Sequence, residues 1–172
     1  GTTLVQSLLA TQKDVATLHE THFFSAISQE IQTEEEKINI ENLDPLILNI
    51  RERISFSKEA EKQTKEIAKS KGLSKKTLFE NIIIDNLIQH AEQEKIKSLR
   101  WIEKTPDHAL FIDEIIKLYP NAKFVYVLRN PEKAIISRKK HFFWNHESEW
   151  PVERHIDRWV ESIKAAEAFK QK

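Results

Sequence analysis

Apolar residues recur at three- and four-residue intervals through most of this chain, and one short run breaks that rhythm. Leu4, Val5, Leu8 and Leu9 share one side of an amphipathic helix that starts after Gly1-Thr2-Thr3. Phe24, Ile27 and Ile31 space a second helix. Asp44-Pro45 opens a third, with Leu46, Ile47, Ile50 and Ile54 turned inward, because proline suits the first helical position. Lys58 to Lys71 is rich in Lys and Glu with few apolar residues, which predicts a solvated helix stopping at Gly72. Ser74 then caps a long helix with Leu78, Phe79, Ile82, Ile83, Leu87 and Ala91 on one face. Thr105 before Pro106 is another cap, and Leu110, Phe111, Ile115 and Leu118 carry a helix that Tyr119-Pro120-Asn121 ends.

The exception is Phe124-Val-Tyr-Val-Leu128, aromatic and β-branched without clear alternation. That pattern predicts a strand covered on both faces, as in a parallel sheet flanked by helices. Arg129 follows the strand, Asn130 can cap and Pro131 can start the next helix, with Ser137 inside it. Ligands of open parallel sheets bind beyond the carboxyl ends of strands. Lys104, Arg129 and the Ser137 hydroxyl are therefore placed to suit a doubly charged anion. Gly1-Thr2-Thr3 adds a helix start whose free N–H groups and dipole favour phosphate-like groups. Each feature has a plainer reading: an arginine paired with a carboxylate, a solvated Lys-Thr-Pro turn, a Thr-rich cap.

Composition narrows the field. With 172 residues and 40% apolar content, one soluble domain with a real core is expected, and its predicted location is cytoplasmic. The absence of cysteine excludes disulfides, thiolate metal sites and a thiol nucleophile. Charges balance at 27 basic and 27 acidic residues, so nothing points to nucleic acid. No apolar run approaches the ~18 residues of a membrane span. The spacing His19-Glu20-Thr21-His22 lacks the i, i+4 histidine pair of a helical zinc site, so no metal is expected. His22 or Glu20 could act as a base. His141, His146 and His155 read as surface or packing residues, and Phe142, Phe143 and Trp144 as core or as an apolar wall beside a ligand.

At this point the chain resembles the sulfotransferases that use 3′-phosphoadenosine 5′-phosphosulfate (PAPS), in their bacterial and tyrosylprotein-like branch. Gly1-Thr2-Thr3-Leu4 is similar to the latter part of the loop gripping the donor's 5′-phosphosulfate. Arg129 and Ser137 have the spacing of the site for its 3′-phosphate. His19-Glu20-Thr21-His22-Phe23-Phe24 resembles the segment that carries the catalytic base, which makes Glu20 the favoured base and His22 the alternate. Lys104 matches a lysine facing the reacting sulfuryl group, and Trp159 also recurs in this group. The resemblance covers about 1–24 and 99–165. It implies an α/β fold, a P-loop-like three-layer parallel sheet with flanking helices, forming one partial domain over 1–172. Residues 25–98 would be a large helical insertion lining the acceptor site. It further implies in-line sulfuryl transfer from PAPS, without a metal, to a hydroxyl (or amine) of unknown class.

The family carries Lys or Arg, then Ser, directly before the glycine, and this chain begins at Gly1. The expectation is therefore a fragment lacking its first strand and its C-terminal part, with poor donor binding as it stands. Two rivals make different predictions. A P-loop kinase-like phosphotransferase needs Gly-Lys-Ser/Thr and an Asp after a strand, where this chain has Arg129. A helical interaction module would have no affinity for adenosine 3′,5′-bisphosphate.

Overall fold

The computed structural model describes residues 1–18, 20–27, 37–38, 40–51, 56–90, 100–141 and 150–170. They form two compact units, Thr2–His108 and Ala109–Lys172, the latter grouped with Gly1. The architecture is mixed α/β, mostly helical, with a small parallel sheet.

In the first unit the order is α1 (Thr2–Leu9), β1 (Val15–Thr17), α2 (Phe23–Ile27), α3 (Ile40–Arg51), α4 (Lys58–Lys71), α5 (Lys75–His90) and β2 (Arg100–Ile102). β1 and β2 pair in parallel, with Val15 opposite Arg100, Ala16 opposite Trp101 and Thr17 opposite Ile102. Parallel partners cannot be joined by a tight hairpin, and here the helices α2 to α5 lie between them in sequence. Neither strand is legible in the sequence, because three residues are too few to show a period.

The core gathers where α2, α5 and β2 meet. Phe23, Phe24 and Phe79 are buried, with ring centroids 4.6 Å apart for Phe23 and Phe79 and 5.2 Å for Phe24 and Phe79. Trp101 of β2 stands edge-on to Phe79 at 5.9 Å. Each buried phenylalanine contributes about 2–3 kcal/mol by leaving water, so this cluster anchors α2 although the helix is only five residues long. The central helices follow their pattern closely. α4 starts at Ser57, whose Oγ accepts from Ala60 N at 3.1 Å, and it stops at Gly72 with φ 73°. Ser57 is itself held by buried Asp85 through hydrogen bonds of 2.6 and 2.7 Å. Ser74 caps α5 by accepting from Thr77 N at 3.0 Å, and Leu78, Phe79, Ile82, Ile83 and Leu87 are buried along it.

Several expectations are corrected. α3 starts at Ile40, which puts Pro45 inside the helix rather than at its head. An interior proline costs about 3 kcal/mol; Leu43, Leu46 and Ile47, all buried, offset it by extending the packed face back past the proline. The apolar side of α1 is not covered: no α1 residue is buried, and Leu4 and Leu8 are exposed. What holds α1 to β1 is polar, through Gln6, whose side chain donates to Thr17 Oγ1 at 2.5 Å and Leu18 O at 2.7 Å. Ile31, Ile54, Ala91 and the Phe142–Trp144 run fall outside the described residues.

The second unit contains α6 (Ile112–Leu118), α7 (Pro131–His141) and α8 (Val152–Lys170), with α8 packed on both others. A 3-10 turn over Pro106–Phe111 precedes α6, so the helix expected from Pro106 begins tightly wound. The largest departure is Phe124–Leu128, which forms no strand. Val125, Tyr126 and Leu128 are exposed. A strand needs a partner for its ladder, and among the described residues both strands belong to the other unit. Phe124 instead packs on Phe169 of α8, centroids 5.0 Å apart. His155 is buried, its ring 5.7 Å from that of Trp150, whose face Arg154 covers at 3.8 Å.

Candidate active site

The two strands end side by side. Opposite Thr17 lies Ile102, and Leu18 N extends the pairing by donating to Ile102 O at 3.2 Å. Beyond those carboxyl ends the chain runs into Glu20-Thr21-His22 on one side and Glu103-Lys104-Thr105 on the other. Parallel register thus brings together residues more than eighty positions apart. Lys104 Nζ donates to Glu20 Oε1, and His22 Nε2 lies 3.4 Å from Glu20 Oε2. All three side chains keep partial access to solvent. Burial pushes the Glu20 carboxyl up, but the contacts from His22 and Lys104 together outweigh it and hold it below the usual glutamate range.

Behind this trio lies a second, buried group. Glu103 Oε1 accepts from Thr21 N at 3.0 Å, Thr21 Oγ1 at 2.8 Å and Thr105 Oγ1 at 2.5 Å. Its Oε2 accepts from His108 Nδ1 at 2.8 Å. Thr105 Oγ1 in turn accepts from His22 N at 3.2 Å. Desolvation alone would raise the Glu103 carboxyl; the His108 contact above all, with the Thr105 and Thr21 donors, keeps it below its ordinary value. His22 has φ 49°, the left-handed region that a side chain with a Cβ enters at a cost. Glu103 is hardly marked in the sequence. Its only signal was its place immediately before Lys104, and a lone carboxylate there reads as solvated.

The remaining predicted residues sit as follows. Thr2 and Thr3 form the first turn of α1, preceded by exposed Gly1. In the other unit, exposed Arg129 precedes α7, Asn130 Oδ1 caps that helix by accepting from Lys133 N at 3.1 Å, and Ser137 is half-buried within it. Trp159 is on α8. Among the described residues no group of three His, Asp or Glu side chains is arranged to hold a metal ion.

A family model described as "Sulfotransferase family" matches residues 1–172. The chain belongs to the sulfotransferase family. No curated protein and no solved structure matches it. Membership makes this a transferase and gives the paired strand ends a context. In this sulfotransferase, a carboxylate held ionised at neutral pH can take a proton. A lysine ammonium beside it offers three N–H donors to an anionic oxygen. No helix among the described residues is long and apolar enough to cross a membrane.

Proposed function

We propose that this sulfotransferase moves a sulfuryl group from PAPS to an acceptor hydroxyl, or to an amine, by in-line transfer. The observation that carries the reading is the contact of Glu20 with Lys104 at the carboxyl ends of two parallel strands, where ligands of such sheets bind. The acceptor oxygen attacks sulfur while the bond from sulfur to the donor's bridging oxygen breaks. Glu20 takes the acceptor's proton, and adenosine 3′,5′-bisphosphate leaves. Lys104 steadies charge on the sulfuryl oxygens, as cations do in phosphoryl transfer. His22 assists Glu20 or replaces it as base.

The ion pair also suits the timing of the reaction. While Lys104 holds Glu20, the carboxylate is a weak base; a sulfuryl anion competing for Lys104 restores its basicity as the substrates assemble. Gly1, Thr2 and Thr3 at the α1 start are the proposed grip on the 5′-phosphosulfate. Arg129 and Ser137 are the proposed grip on the 3′-phosphate, an arginine fork matching phosphate in two-point contact. The helices within 25–98 are assigned to the acceptor side, and β1 and β2 to a P-loop-like three-layer sheet. The proposed location is cytoplasmic.

Replacing Glu20 by Gln should lower turnover by ~10²–10⁴, the usual worth of a general base. Donor affinity, read by calorimetry with adenosine 3′,5′-bisphosphate on the intact protein, should stay near wild type. A Glu20→Gln protein with wild-type turnover would remove Glu20 from this role. Absence of nucleotide binding in the intact wild type would remove the donor assignment.

A further inference from the structure

We propose that Glu103 is a positioning residue, a buried clamp whose carboxylate sets the turn that aims Glu20 and His22 at Lys104. The inference rests on the reading of Glu20 and Lys104 as the reacting pair. Side-chain burial alternates along both segments. Thr21 lies between Glu20 and His22, and Lys104 lies between Glu103 and Thr105. The clamp members Thr21, Thr105 and Glu103 are all more than nine-tenths buried. Their neighbours Glu20, His22 and Lys104 keep 34%, 24% and 17% of their side-chain surface exposed. In both segments, then, clamp residues face inward and the reacting ones outward.

A plain structural staple between two segments does not need a carboxylate. Burying one costs several kcal/mol unless its lone pairs are filled, and apolar contacts join segments without that cost. What the carboxylate adds is direction. Its Oε1 collects a backbone N–H and a hydroxyl from Thr21 and the hydroxyl of Thr105. Thr105 Oγ1 then accepts the backbone N–H of His22. These bonds converge on the turn whose backbone is left-handed at His22. Such a conformation costs of order 1–3 kcal/mol and persists only where its surroundings over-determine it. His108, reached by the 3-10 turn after Pro106, occupies Oε2 and seats its ring edge-on against Phe24, centroids 5.0 Å apart. The clamp is thereby tied into the core on one side and into the reacting trio on the other.

The test uses Thr105→Val, Thr105→Ser and Glu103→Gln in the intact protein, with two readouts. The first is the titration of the Glu20 carboxyl by carbon-detected NMR. It should move up toward the ordinary glutamate value in Thr105→Val and Glu103→Gln, as Lys104 and His22 fall out of line, and stay with wild type in Thr105→Ser. The second is sulfuryl transfer. Turnover in Thr105→Val should fall about a hundredfold, the effect of a misplacement near 1 Å, with the KM for PAPS little changed and with serine restoring the rate. Folded Thr105→Val protein with an unmoved Glu20 titration and wild-type turnover would overturn the proposal. If Glu103→Gln fails to fold, the valine–serine comparison decides. If the wild type transfers no sulfuryl group, the functional reading has failed, and the titration still decides the clamp.

Discussion

Glu20 and Glu103 show two ways of keeping a carboxylate ionised. Glu20 is partly solvated and leans on two neighbours that carry or can carry positive charge. Glu103 is buried and leans on hydrogen-bond donors. Both lie below their ordinary range in the folded protein, so the sign of the pH effect is the same for both. Their contribution to stability is complete above the unfolded-state value, about 4.3 for glutamate, and is lost as pH falls through the depressed folded-state value. Over that window the unfolded chain binds more protons, so stability must drop on acidification. Thermal unfolding followed by circular dichroism should show the gap in Tm between wild type and Glu103→Gln closing below about pH 4. A gap constant from neutrality into that range would contradict it. The lysine next to a carboxylate in sequence carries no such information; the donors to Glu103 come from residues up to 82 positions away.

At the level of elements, the helices were legible where capping and periodicity agreed. Gly72 ends α4 and Ser74 caps α5 where the sequence places them, while the Ser57 cap of α4 appears only in the structure. Gly72 is the sharpest case. Its φ of 73° and ψ of 156° define a region that residues with a Cβ avoid, and an added Cβ would sit 2.8 Å from the Lys37 side chain. The lysine can move away; the backbone cannot. Gly72→Ala should therefore destabilise the protein by about 1–3 kcal/mol, measured by urea unfolding, whereas an alanine as stable as wild type would mean the backbone had relaxed. Periodicity misled where a tertiary force overrode it. Pro45 reads as a helix start, yet buried Leu43 draws the helix back beyond it. Phe124–Leu128 reads as a central strand, yet extended apolar residues become a strand only when another offers its N–H and C=O groups.

For the whole molecule, the zero net charge gives no general pull on an anionic donor. Donor affinity must come from local groups. On the proposed reading Arg129→Lys keeps the charge but loses the planar fork, so calorimetry should show binding of adenosine 3′,5′-bisphosphate weakened about tenfold, one charged hydrogen bond's worth. Unchanged affinity would take Arg129 out of the 3′-phosphate site. The family was legible in the chain, and Glu20, His22, Lys104, Arg129 and Ser137 stood out there as candidates, because capping, helical period and motif spacing are local properties. The sequence by itself also determined most helices and the lack of cysteine chemistry. Only the tertiary structure decided that Glu20 and Lys104 meet, that a buried Glu103 holds the turn beneath them, and that the sheet runs through Val15–Thr17 and Arg100–Ile102. Those outcomes depend on register between segments over eighty residues apart, and pairing at that range is set by packing rather than by any neighbour in the chain.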